Sequence, residues 1–158
     1  MQGLILTTIY WFHLIATVTW IGGITFILFI VIPSAKQVLG AEAGKLMGEI
    51  SKRFTPIANY SILFLIVTGI ALTGLNKQFL GIGIFENKWT WILTLKHIIV
   101  LVMVVIHFYR GWVLTPKIGR VDSATEKTNL QKLSLSLVKV NCGLGIMVLL
   151  LSGITSVL

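Results

Sequence analysis

The stretch that decides the fold is residues 89–114, WTWILTLKHIIVLVMVVIHFYRGWVL. It is apolar on all sides except at a few basic positions, and it exceeds the roughly 20 residues that a helix needs to cross about 30 Å of hydrocarbon. A soluble protein of 158 residues could not hide so much apolar surface. We therefore expect this stretch to be a transmembrane helix.

The rest of the chain has the same character. Apolar residues make up 56% of the sequence and charged residues 11%, against about 25% charged in an average soluble domain. Three further apolar stretches reach spanning length, at about residues 4–32, 54–75 and 133–158. The sequence thus predicts an all-α, multi-pass integral membrane protein of a prokaryotic cell membrane. We expect a four-transmembrane-helix bundle that forms a single domain over residues 1–158, with the lipid bilayer as its main surroundings.

Several functional classes are excluded at this level. The net charge is +8, but the basic residues are spread over short loops, which indicates anionic lipid headgroups and no nucleic-acid partner. Cys142 is the single cysteine, so a disulfide or a thiolate metal cluster within one chain is excluded, and we expect this residue to serve packing. The sequence contains no nucleotide-binding glycine loop, no catalytic triad, no paired carboxylates and no convincing internal repeat. Whether the protein is an enzyme stays open.

Lysine and arginine counts in the loops predict the orientation. The loop between spans two and three, GLNKQFLGIGIFENK (74–88), has only two basic residues, and its apolar residues suggest that it rests on the outer membrane surface. The first and third loops together hold ten, so we expect both on the cytoplasmic side and both termini outside. The ten are Lys36, Lys45, Lys52, Arg53, Arg110, Lys117, Arg120, Lys127, Lys132 and Lys139.

Ionisable residues inside a span are costly, and each is a candidate for function. His13 lies about nine residues below the outer end of the first span, and Lys96 and His97 lie seven or eight residues below the same surface on the third. At about 1.5 Å per residue these depths agree within a few ångströms. Two ligating groups at one depth on different helices suit a haem or metal centre. The candidate ligands are His13 with either His97 or Lys96, and a metal ion alone would take His13 and His97.

Helical phase orders these candidates. On the first span the three- and four-residue spacing places His13 and Trp20 on one stripe. On the third span Lys96 and His107 share a stripe and are about 16 Å apart along the axis, whereas His97 lies about 100° away from it. A second polar layer, able to hold propionates, a quinone or a charged substrate, is expected nearer the cytoplasm. Its members are Arg53, Asn59, Tyr60, His107, Arg110, Lys139 and Asn141.

Simpler roles are open for each candidate. His13 could hydrogen-bond a threonine or a backbone carbonyl of another helix, and His97 could be a packing or interfacial residue. Lys96 could extend its amine towards the membrane surface. Arg53 could be an ordinary anchor at the end of a span.

Three segments carry a resemblance to known families. WFHLIATVTWIGGITFILFIVIP (11–33) resembles the first helix of CopD-like membrane proteins, and KRFTPIANYSILFLIVTGI (52–70) resembles their second. WTWILTLKHIIVLVMVVIHFYRG (89–111) resembles their third, and its spacing from Lys96 to His107 also resembles the HemJ-type protoporphyrinogen oxidases. The resemblance implies copper uptake or resistance for a CopD-like protein. For a HemJ-like protein it implies b-type haem and porphyrinogen oxidation, with the important histidine and lysine at His13 and Lys96.

The first functional hypothesis is a membrane-embedded, b-type haem-binding redox protein that carries out electron transfer or porphyrinogen or quinone oxidoreduction. A second hypothesis is a copper-handling protein or permease, although no Met-rich or Cys-containing cluster is evident at one depth. A third is a small structural subunit of a larger membrane complex. A redox partner protein is expected with the haem hypothesis, and a homo-oligomer stays open. The residues expected to bind a cofactor are His13, Trp20, Arg53, Lys96, His97, His107 and Asn141.

Overall fold

The computed structural model describes residues 2–76 and 88–157, and every regular element in these ranges is helical. The chain divides into two compact units, Met1–Gly83 and Ile84–Leu158. We call their described parts hairpin one (residues 2–76) and hairpin two (88–157). The α-helices are α1 (Gln2–Thr17), α2 (Gly23–Phe26), α3 (Ile32–Leu39), α4 (Ala43–Gly74), α5 (Lys88–Phe108), α6 (Thr115–Arg120) and α7 (Ala124–Val157). The all-α prediction is confirmed, whereas the single domain stays a prediction.

Hairpin one consists of two antiparallel helical arms. The first arm runs through α1, α2 and α3, which are joined by π-helical segments at Val18–Gly22 and Ile27–Val31. It ends at Gly40, whose φ of +51° is a left-handed conformation that glycine adopts without a steric penalty. The chain then reverses, and α4 returns along the first arm, so that Phe12 stacks on Phe64 with ring centroids 5.9 Å apart.

Hairpin two repeats this plan with α5 and α6 as its first arm and α7 as its second. Two hydrogen bonds fix the antiparallel register. The Asn141 side chain donates to the Met103 carbonyl at 3.4 Å, and Arg110 Nε donates to Ser134 Oγ at 3.2 Å. The seven residues from Met103 to Arg110 in the first arm thus lie beside the seven residues from Asn141 back to Ser134 in α7. At the turn the backbone N–H of Glu126 donates to Ser123 Oγ (3.4 Å), an N-cap contact.

A proline follows a π-helical segment in each first arm. Pro33 comes after the segment Ile27–Val31, and Pro116 comes after the segment Tyr109–Leu114. Because proline has no N–H and its ring crowds the carbonyl four residues earlier, a wider turn before it relieves the clash. In hairpin two the Arg110 carbonyl accepts both the backbone N–H and, at 2.8 Å, the hydroxyl of Thr115, so the widened turn carries an additional hydrogen bond.

Several buried positions recur in the two hairpins, although no repeat was predicted from the sequence. In the first arms, residues 83 positions apart match when the two prolines are aligned. Lys96 then takes the position of His13, each 20 residues before its proline. The buried pairs in the first arms are Ala16 and Ile99, Trp20 and Met103, and Ile24 and His107. The buried pairs in the second arms, 80 positions apart, are Ser61 and Asn141, Ile62 and Cys142, and Thr68 and Val148.

Three described helical stretches are long and apolar enough to cross a membrane. They are Gly3–Gly74, Lys88–Arg120 and Ala124–Val157, and the first includes both arms of hairpin one. Large apolar side chains are exposed along these helices, as lipid-facing residues would be. The chain is therefore a multi-pass, all-helical membrane protein by length and composition. Four spans and outer termini stay predictions, and the outer loop predicted around Lys77 lies mostly outside the described residues.

Candidate functional site

His13 is held by a polar contact between the two arms of hairpin one. Its Nδ1 lies 2.8 Å from Thr68 Oγ1, and the Thr68 hydroxyl lies 2.5 Å from the Phe64 carbonyl, which can only accept. The single hydroxyl proton is thus used on Phe64, so Nδ1 of His13 must donate to Thr68. In the neutral imidazole this leaves the lone pair on Nε2.

This arrangement is the one that a ligating histidine needs. A metal-bound imidazole usually donates its other ring N–H to a fixed acceptor, which sets the tautomer and the ring orientation. Gly69 lies beside the ring, and a Cβ built there would be in ordinary van der Waals contact with His13 Cε1, at 3.7 Å. The simpler role, a hydrogen bond to a threonine of another helix, is therefore present. A ligating histidine would make the same type of bond.

Trp20 and Arg53 also belong to hairpin one but do not form part of the His13 contact. Trp20 lies in a π-helical segment, and its side chain is 1% exposed. It is seven residues, or about 10 Å, along the arm from His13. Arg53 is exposed on α4, as an anchor at the end of a span would be.

Lys96 and His97 lie on α5 of hairpin two in different surroundings. Lys96 is half-buried and has no hydrogen bond or ion pair with any residue in the described ranges. Its counterpart in hairpin one, His13, bonds Thr68, whereas the position equivalent to Thr68 is the apolar Val148. His97 is exposed within hairpin two, and its Nδ1 lies 2.7 Å from the Leu93 carbonyl, so Nδ1 donates and Nε2 carries the lone pair.

Buried residues with donor atoms also lie at neighbouring levels of α5 and α7. Met103 and His107 are 1% and 8% exposed on α5, and Asn141 and Cys142 are each 3% exposed on α7. The sequence placed His107 and Asn141 in one polar layer but did not add Met103 and Cys142 to them, because the phase of each helix can be read from its own residues but the register between two helices cannot. In the antiparallel register Asn141 is level with Met103, and His107 lies one turn nearer the hairpin turn.

Asn141 is only partly satisfied among these residues. Its Nδ2 donates to the Met103 carbonyl, but its Oδ1 is buried and accepts no hydrogen bond within the described ranges. Leaving a buried acceptor without a donor costs about 1–3 kcal/mol. Such a group calls for an explanation, and a ligand is one of the ordinary explanations.

The residues of hairpin two that were predicted to form a polar layer near the cytoplasm lie at different levels along the hairpin. Arg110 contacts Ser134, His107 lies about one turn further into the hairpin, and Asn141 is level with Met103 about two turns from Arg110. Arg110 forms no ion pair with any carboxylate in the described ranges. Lys139 is exposed on α7. The predicted members of the layer on α5 and α7 are thus spread over several levels.

No group of three or more His, Cys, Asp or Glu side chains that could hold a metal ion occurs in residues 2–76 and 88–157. Methionine sulfur is outside that set, and it is a donor that Cu(I) accepts. The candidate donors are His13 in the first hairpin, and Met103, His107 and Cys142 in the second beside the predicted Lys96 and His97.

The helices define a class, namely a multi-pass helical membrane protein, and its hairpins contain side chains of types that can ligate metals. The sequence profile of the family CopD, described as copper resistance protein D, matches residues 48–155. The chain belongs to this family. Comparison with curated proteins and with solved structures gives no match.

Family membership bears on the alternatives left open by the sequence. The CopD-like resemblance is confirmed, and it favours the copper alternative over the haem hypothesis. The matched residues include α5, α6 and most of α7, and therefore the whole donor group Met103, His107, Asn141 and Cys142. His13 lies before the match.

Proposed function

We propose that this protein handles copper ions in the membrane, as part of copper uptake or resistance. The observation that carries the proposal is its membership of the copper resistance protein D family. Imidazole and soft sulfur ligands suit copper, and the described hairpins provide both types. Copper is here the cargo, and the helices provide donors that are shielded from water.

In this proposal the chain crosses the bilayer four times, with both termini outside. Each arm of each hairpin is longer than the roughly 20 residues that a crossing needs. A stretch of 72 residues with a reversal at Gly40 supplies two crossings. His13 is the copper ligand of hairpin one, because its hydrogen bond to Thr68 fixes the ring orientation and a tautomer that carries its lone pair on Nε2.

Copper handling is tested with purified protein and with cells. We expect detergent-solubilised protein to bind Cu(I) in competition with a chromophoric Cu(I) chelator, and we expect expressing cells to differ in copper content from empty-vector cells. His13→Ala should weaken binding, whereas Thr8→Val, which removes an exposed hydroxyl of the same helix bonded only to Leu4, should not. Absence of bound Cu(I), together with unchanged cellular copper, would contradict the proposal.

A haem-binding redox function is the second candidate, because the fixed tautomer of His13 suits haem iron as well as copper. Bound haem would supply one-electron redox chemistry, and His13 would be an axial ligand. The prediction that His13 shares this centre with Lys96 or His97 joins the two hairpins and stays a prediction, as do a quinone or porphyrinogen substrate and a redox partner. An absorption spectrum of the purified protein separates the candidates, since only haem gives sharp reduced bands.

A further inference from the structure

The buried residues of hairpin two include two sulfur-containing side chains and one imidazole at neighbouring levels of α5 and α7. Met103 and His107 are one turn apart on the same face of α5, and Cys142 lies next to Asn141 on α7. The bond from Asn141 to the Met103 carbonyl places these residues at neighbouring levels. All four are more than nine-tenths buried, so a ligand bound here would be shielded from water.

Side-chain direction in an antiparallel pair makes the donors converge. Every Cα–Cβ bond tilts towards the N-terminus of its own helix. His107 therefore projects towards the level of Met103, away from the hairpin turn, and Cys142 projects towards the turn. The two side chains approach each other from about five residues, or roughly 7 Å, of axial offset. Met103 lies between these levels, and its unbranched side chain can adjust its sulfur position.

The unsatisfied oxygen of Asn141 is an independent sign of a ligand. Its Oδ1 is buried without a hydrogen bond in the described ranges. A histidine that ligates through one ring nitrogen usually donates the other N–H to a carbonyl or carboxylate. With a metal on His107, that N–H has an acceptor in Asn141 Oδ1, one turn away on the facing helix.

We propose that Met103, His107 and Cys142 form a Cu(I) site inside hairpin two, with Asn141 as the hydrogen-bond partner of the metal-bound His107. Two sulfur ligands and one imidazole match the preference of Cu(I) for soft donors. Binding displaces the thiol proton of Cys142, which leaves to solvent, because the thiolate is the ligand. The inference rests on the proposed copper function and names the site at which the ion is held.

The experiment measures the Cu(I) affinity of the full-length purified protein by competition with a chromophoric chelator. Met103→Leu and Cys142→Ser should each weaken binding by more than about 100-fold, and Asn141→Leu by about 10- to 100-fold. Met147→Leu is the matched control, since Met147 lies on the same hairpin but is 49% exposed. Its affinity should equal that of the wild type. Melting temperatures without copper identify variants that fail to fold.

X-ray absorption of the copper-loaded wild type needs no variant and gives a second measurement. We expect sulfur and nitrogen scatterers in a ratio of two to one. In a separate labelling experiment, copper should protect Cys142 from a membrane-permeant alkylating reagent. Wild-type affinity in Met103→Leu and Cys142→Ser, or a copper shell without sulfur, would overturn the site while leaving the copper function standing. A wild-type protein that binds no Cu(I) would overturn both.

Discussion

At His13, the neighbouring hydroxyl of Thr68 determines which ring nitrogen carries the proton and which carries the lone pair. Because the Thr68 hydroxyl donates its hydrogen bond to the Phe64 carbonyl, its oxygen can only accept a hydrogen bond from His13. His13 could be selected from the sequence because an ionisable residue deep in an apolar span is rare. Thr68 could not be selected from the sequence as its partner, because the apolar helices contain several threonines and only the packing shows which one faces the imidazole.

A prediction follows for Thr68. Thr68→Val removes the acceptor, so the tautomer of His13 is no longer fixed, and Cu(I) or haem binding through His13 should weaken by about 10- to 100-fold. Thr68→Ser keeps the hydroxyl, so Cu(I) or haem binding through His13 should stay close to that of the wild type. Binding titrations of both variants check this, and equal loss in the valine and serine variants would show that Thr68 acts through packing alone.

At the scale of elements, hydropathy located the apolar core of each helix but not its ends. Span two was predicted to begin near residue 54, whereas α4 begins at Ala43. The additional turns are exposed and carry ion pairs of Lys45 with Glu42 and of Lys52 with Glu49. Such i,i+3 pairs stabilise a helix in water, where a hydropathy pattern gives no signal.

Close packing of the arms in hairpin one can be tested at two adjacent glycines. A Cβ at Gly23 would overlap the ring of Phe54, whereas the nearest atom to a Cβ at Gly22 is Val18 Cγ1 at 3.9 Å. Gly23→Ala should therefore destabilise the protein by about 1–3 kcal/mol. Gly22→Ala should be neutral or stabilise it by up to about 1 kcal/mol.

Thermal or denaturant unfolding in detergent measures both glycine variants. Phe54→Leu should rescue Gly23→Ala, and the double-mutant cycle isolates their coupling. Equal effects at Gly22 and Gly23, or no rescue by Phe54→Leu, would show that this contact does not hold the arms together.

At the scale of the whole molecule, the sequence predicted the class of protein but not its repeated construction. The all-helical, multi-pass character follows from composition and span length, which need no partner helix. The repeat is hidden because its matched positions differ in chemistry, as with His13 and Lys96 or Ile62 and Cys142. What recurs is burial and the position of proline.

The orientation remains to be tested. Ten basic residues in the first and third loops, against Lys77 and Lys88 in the second, predict cytoplasmic first and third loops. In a Cys142→Ala background, cysteines introduced singly at Asn76 and Ser123 should react with an impermeant reagent from opposite sides. Asn76 should be labelled from outside intact cells, and Ser123 only after permeabilisation. Labelling of both from one side would exclude the four-span arrangement.

The matched positions of Pro33 and Pro116 suggest how such a chain can evolve. A unit that crosses the membrane an even number of times can be duplicated in tandem without inverting either copy. After duplication each copy keeps its scaffold, while single substitutions at equivalent buried positions can give the copies different tasks. His13 with Thr68 in one copy, and Lys96 with Val148 in the other, are the kind of divergence by which one ancestral hairpin yields two specialised ones.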